Sequence, residues 1–222
     1  MRVGPLGPHQ RVKSRIVAND SGRPLGSRHY NARLTKSSLR VPECRIVARE
    51  LLARPAEDAV AAILRDNLLQ KRSLATARTL VSLLATRLTT VDRVVLDLVV
   101  HGDATESVLA VMAATMKAET LLADFVGQVV GDVVSSYGDA IPPSAWRDFI
   151  EACADRDPRV RAWTPEVVAK LRQNVYRILA EAGYVHDTAT MRIQRVIVPK
   201  ALSDVLVASG DEAVLGLLRV TE

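Results

Sequence analysis

Aromatic residues are scarce: two Phe, two Trp and four Tyr amount to 4% of 222 residues. A sandwich or barrel packed through aromatic strands is therefore not expected, and the 48% hydrophobic content must form an aliphatic, mostly helical core. Long apolar runs are missing too. A membrane-spanning helix needs about 18 or more nearly uncharged residues, and Asp97, Glu106, Lys117, Asp124 and Asp132 interrupt every long apolar stretch. The amino terminus has arginines but no continuous apolar segment of the kind a secretory signal requires, which makes the cytoplasm the default expectation. Cysteine is limited to Cys44 and Cys153, far apart and without a CxxC context, so buried thiols are expected rather than a disulfide or a metal pair.

Catalytic signatures are equally thin. There is no GxSxG, no phosphate-cradling glycine loop and no HExxH, and the glycines fall singly at helix ends. The four histidines, His9, His29, His101 and His186, form no metal-ligand spacing. Asp155 with Asp157, and Asp132 with Asp139, are close enough to imagine as carboxylate pairs, but each lies beside a helix end, where a solvated acid is ordinary. No catalytic role, cofactor, metal or small-molecule substrate is expected.

What the chain does have is a lopsided charge. Residues 1 to 54 hold 12 Lys or Arg against 3 Asp or Glu, a net of +9, and residues 55 to 222 hold 18 against 22, a net of −4, giving +5 in all. Arg2, Arg11, Lys13, Arg15 and Arg23 lie among Pro5, Pro8 and Pro24 with no periodicity, so residues 1 to 27 read as a disordered basic arm. A single helical domain is expected from residue 28 to residue 222. Its first segment continues the basic run with Arg28, Arg33, Lys36, Arg40, Arg45 and Arg49.

Apolar periodicity places helices over 43–53, 56–66 and 74–88, then over 91–100, 106–117 and 121–134. Ser144 reads as the cap of a helix to about Ala154. Thr164-Pro165-Glu166 supplies an N-cap, an N1 proline and an acidic first turn for a long helix that Gly183 ends. Two short helices over 199–208 and 211–220 close the chain, and Tyr184 to His186 with Met191 to Val198 suggest a small two-stranded ribbon. The expected fold is all-α, a compact multi-helix bundle.

The most informative stretch is Asn67 to Ser73 with the helix that follows it. Lys71 and Arg72 stand in a turn just ahead of Ser73, an N-cap, so two cations and the positive end of a helix meet at one corner. An anion such as nucleic-acid phosphate suits that corner; an ordinary capped turn in a bundle is the alternative. On the 74–88 helix, Leu74, Ala77, Val81, Leu84 and Leu88 form the expected core face. The opposite face carries Ala75, Thr76, Thr79, Ser82, Leu83 and Thr86, bordered by Arg72, Arg78 and Arg87. Short side chains there allow a DNA groove or another helix to approach closely.

Tyr30, Leu34-Thr35-Lys36, Leu39, Glu43 with Ile46-Val47, and NLLQKRSLATARTLVSLLATRL from Asn67 to Leu88 together resemble the BrxA family. Phe125-Val126, Trp163-Thr164-Pro165, Lys170-Leu171 and Ile178 to Gly183 follow in the same order, and the similarity spans about residues 28 to 220. These are small accessory proteins of the BREX bacteriophage-exclusion systems. The 56–66 and 74–88 helices with their basic turn read as a helix-turn-helix-like pair, and the resemblance implies an all-helical core like NusB and anti-sigma bundles and DNA binding beside larger BREX subunits without catalysis. It points to Lys71, Arg72 and Ser73. The family is sometimes labelled an inner-membrane protein, which the charge interruptions oppose.

The expected function is mainly non-specific contact with the backbone of double-stranded DNA through Arg33, Lys36, Arg40, Arg45, Arg49, Lys71, Arg72, Ser73, Thr76, Arg78 and Arg87. If about five of these cations meet phosphates, log affinity falls with log salt at a slope near −4 to −5. Two alternatives remain open. The same face can dock a helix of a larger BREX subunit without touching DNA. In a winged-helix arrangement, the 164–182 helix and the ribbon would contact DNA through Lys170, Arg172, Arg177, Arg192 and Arg195.

Overall fold

The computed structural model describes residues 29–222, and the expected basic arm lies outside them. Eleven α-helices are present among the described residues, and strands are reduced to isolated bridges. A short 3₁₀ turn, Arg33–Lys36, precedes α1 (Val41–Ala53), α2 (Ala56–Arg65), α3 (Leu74–Leu88), α4 (Arg93–His101) and α5 (Ala104–Ala118). After α6 (Thr120–Asp124), a π-helical stretch Phe125–Val130 runs into α7 (Gly131–Ser135). Then come α8 (Ala145–Arg156), a 3₁₀ turn Pro158–Ala162, α9 (Pro165–Glu181), α10 (Lys200–Ala208) and α11 (Glu212–Leu218).

The fold is built around α5. Leu109 to Met116 are all buried, so this helix is enclosed on every side rather than amphipathic. It packs against α1, α3, α4, α6, α10 and α11. Its start is fixed by a reciprocal capping box, in which Asp103 accepts from the Glu106 N–H and Glu106 accepts from the Asp103 N–H. The expected caps of α3 and α9 also hold, with Ser73 accepting from Thr76 and Thr164 from Val167. Gly183 follows α9 at φ +80°, where a side chain would be strained. Ser144 departs from expectation: its backbone is already helical and its hydroxyl makes no cap bond.

Few as they are, the aromatics are concentrated. Phe125 packs its ring against Trp146, Phe149 and Tyr176 at centroid distances of 5.1 to 6.2 Å across the cluster, tying the π-helical stretch to α8 and α9. The expected ribbon is present only as antiparallel bridges, Val185 with Ile193 and Ala140 with Arg192. Residues 191 to 193 thus sit between two neighbours, and no longer ladder forms because Met191 takes φ +51° and, beyond Gln194, the N–H groups of Val196 and Val198 donate to the side chains of Thr221 and Glu222 instead of to a strand.

Residues 29 to 39 form a strap across the bundle. The Tyr30 hydroxyl donates to Asp124, the Tyr30 N–H donates to Asp157 at 3.0 Å, and the Arg156 guanidinium lies over the Tyr30 ring. Further along, Asn174 donates to the Leu34 carbonyl at 2.6 Å, and the Leu39 N–H donates to Glu181 at 2.9 Å. Asp157, expected as a solvated surface acid, is therefore buried: the strap's N–H and the bidentate Arg159 take up its oxygens. Asp155, Asp132 and Asp139 are exposed as expected. Cys44 and Cys153 are buried free thiols, pushed up to about 12 and about 11 by burial. No helix among the described residues is long and apolar enough to cross a membrane.

Candidate nucleic-acid interface

Two chain segments with strained backbone bring cations to α3. The turn after α2 contains Asn67 and Gln70 in left-handed conformations, at φ 45° and 50°. Asn67 spans that turn with its side chain, accepting from the Lys71 N–H at 3.0 Å and donating to the Lys71 carbonyl at 3.2 Å. At the end of the strap, Arg40 is also left-handed, at φ 57°, immediately before α1. A non-glycine residue in this region costs about 1 kcal/mol or more, and such strain tends to collect where a side chain must be aimed.

The outcome is a groove of about 540 Å³ lined by Lys36, Arg40, Lys71, Ala75, Thr76, Thr79, Leu80 and Leu83. Its cations come from the strap, the start of α1 and the turn before α3. Its floor is the short-chained face of α3. Glu43 lies beside it, its Oε1 3.0 Å from Lys71 Nζ and 3.5 Å from an Arg40 guanidinium nitrogen. Arg72 is exposed in the same turn, and Ser73 is exposed as the α3 cap.

The other expected residues scatter. Arg33, Arg49 and Arg78 are exposed but do not line the groove. Arg45, expected to face outward, turns inward: it donates to Ser107 Oγ at 2.7 Å and to the Gly102 carbonyl at 3.3 Å, closing the end of α4. Arg87, expected on the outer face of α3, is buried with 1% of its side chain exposed. Its guanidinium donates to the Ser38 carbonyl at 2.8 Å and lies 3.7 Å from Glu119, itself 2% exposed. Burial pulls Arg87 below the ordinary arginine value and pushes Glu119 above the ordinary glutamate value, each partly offset by the other's charge. Arg87 is sealed away from any phosphate in this fold, and the Arg45 guanidinium is engaged with Ser107 and Gly102.

Leu74 and Leu83 also exchange places, with Leu74 53% exposed and Leu83 buried. α3 packs against α1, α2 and α5, so its buried arc is wider than one stripe and shifted toward Leu83. Glu43 and Leu80 were not among the expected site residues. The i,i+3 spacing of Arg40 and Glu43 is readable in sequence, whereas the Lys71 contact joins residues 28 apart and is not. The five cations of the winged-helix arrangement are exposed, with Arg172 and Arg177 along a separate groove beside Tyr176. No group of three or more metal-binding side chains is gathered among the described residues.

An all-helical protein with a strap-bound core and a basic groove at one helix is the class that these features define. The BrxA family model matches residues 28–210. A BREX protein BrxA from Paramagnetospirillum magneticum (strain ATCC 700264 / AMB-1) is 35% identical over 86% of this chain and 97% of its own length. Another BREX protein BrxA, from Escherichia coli O9:H4 (strain HS), is 27% identical over 79% of this chain and 83% of its own. The crystal structure of an uncharacterized protein from Magnetospirillum magneticum superposes with a TM-score of 0.79 at 33% identity, covering 87% of this chain and all of that one. The chain belongs to the BrxA family and is a BREX-system component.

Proposed function

We propose that this chain is a non-catalytic, cytoplasmic accessory protein that holds double-stranded DNA for a BREX system, with the α3 groove as the seat for the phosphate backbone. The observation that carries this reading is the convergence of Lys36, Arg40 and Lys71 on a floor of Ala75, Thr76 and Thr79. Cations on three separate segments follow a curved backbone better than one row does, and short side chains let it come close. Phosphate contacts fix position without reading sequence. No Asn, Gln or Arg row lines the floor, so base readout is weak and sequence preference low.

The test is duplex-DNA binding measured at several salt concentrations. With Lys36, Arg40, Lys71 and Arg72 in contact, the log–log slope should lie near −3 to −4. Replacing Lys36, Arg40 and Lys71 together by Ala should bring it to about −1. An unchanged slope in that variant, with binding lost instead in Arg192→Ala plus Arg195→Ala, moves the seat to the C-terminal segment.

A second reading, the adaptor, is favoured by one feature: Leu74 is 53% exposed in the first turn of α3, an apolar side chain open to solvent. A helix of a larger BREX protein would bury it. Absence of duplex binding even at low salt would leave this reading standing alone.

A further inference from the structure

We propose that Glu43 is an internal competitor for phosphate, a carboxylate that occupies the cation pair of the α3 groove until DNA displaces it. The inference rests on the groove being the phosphate seat. One oxygen, Oε1, serves both Lys71 and Arg40. The pair is partly shielded from water, with Lys71 25% and Glu43 15% exposed, so the contact is less screened than a surface ion pair. Two cations and one anion leave a net charge of +1 where the cations alone would offer +2.

A phosphate oxygen cannot lie between Lys71 and Arg40 while the carboxylate remains there. Leaving is easy for Glu43, because it sits in the first turn of α1, where the helix dipole favours a negative charge without a side-chain partner. The backbone of both cations is set independently of Glu43, through left-handed Arg40 and through the Asn67 clamp on Lys71. Displacing the carboxylate therefore does not dismantle the seat. Its effect is to weaken the grip on DNA, which keeps a non-specific binder exchangeable.

The experiment compares Glu43→Gln with Asp204→Asn, an equal charge change at an exposed acid of α10, which packs against α4, α5 and α11. Binding of a 25-base-pair duplex is followed by fluorescence anisotropy across salt concentrations, with thermal unfolding of each variant as the fold control. Glu43→Gln should bind about three- to tenfold tighter at low salt, with the slope still near −3 to −4 because the same cations meet phosphates. Asp204→Asn should change affinity less than twofold, and Glu43→Ser should give the same sign as Glu43→Gln. The gain should vanish when Arg40 and Lys71 are both Ala. Unchanged or weaker binding by a folded Glu43→Gln overturns the proposal and leaves the DNA seat intact, and so does an equal gain in Asp204→Asn. Binding that appears only once Glu43 is neutralised overturns both the proposal and the function it rests on, because the carboxylate then blocks the seat and does not yield to DNA. Absence of duplex binding with either residue at position 43 overturns both.

Discussion

The two ends of α3 carry cations of similar kind into opposite surroundings. At the start, Lys71 lines an open groove with exposed Arg72 next to it in the chain, and Lys71 shares a carboxylate with Arg40. At the end, Arg87 is sealed in the core, donating to the strap at Ser38 and facing Glu119 between α5 and α6. The first end is partly open to solvent; the second is not. Yet they cooperate, because Arg87 holds the carbonyls of the strap segment directly after Lys36 and just before Arg40. The buried arginine positions the chain whose neighbouring cations line the groove.

The largest effect expected is at the buried end. Arg87→Ala leaves buried Glu119 without its facing guanidinium and two strap carbonyls without a donor, and should cost about 3–5 kcal/mol of folding stability. Urea denaturation measures this, and a loss below about 1 kcal/mol would mean that the two ends of α3 do not differ as described. At the open end, Lys71→Ala plus Arg72→Ala should leave urea stability within about 0.5 kcal/mol, as for ordinary surface changes. Its cost appears in DNA binding, where the salt slope should be shallower by about 1.8. Smaller again, Ser73→Ala removes the hydroxyl that accepts from Thr76 and should cost about 1 kcal/mol of stability with little change in slope. A steeper loss of DNA binding than of stability in that variant would make Ser73 a contact as well as a cap.

Much of the fold was legible locally. The bounds of α3 follow from Ser73 and the run to Leu88, and those of α9 from Thr164-Pro165 and Gly183, since caps and breakers act within a turn of chain. The groove was half legible. Lys36, Arg40, Lys71 and Thr76 were named from charge and helix face and do converge. Arg87 was misplaced because its burial depends on Glu119, 32 residues away, and on carbonyls at 37 and 38, neither of which marks the sequence around α3. Arg45 failed for the same reason, its partners being Ser107 and Gly102. A basic residue shows its charge in sequence, but only long-range packing decides whether that charge meets solvent, a carboxylate or a backbone carbonyl.

The sharpest form of the contrast replaces the buried pair outright. Arg87→Met with Glu119→Leu removes both charges and fills similar volume, so the desolvation of two ions is relieved as their attraction is lost. At neutral pH the net change should be within about 1 kcal/mol, far less than for Arg87→Ala. The pH trend then separates pairing from packing. Because Glu119 is pushed up on folding, the native chain holds its proton at pH values where the unfolded chain has released it. Over the window that opens at the ordinary glutamate value of about 4.3, the native state binds more protons, and this group's contribution to stability falls as pH rises. The double variant lacks that contribution, so its stability relative to the parent should improve from pH 4 to pH 7 in urea titrations. A relative loss over that range would mean that the Arg87 charge, not burial, dominates Glu119, and the interior end of α3 would then be held by its ion pair more than by packing.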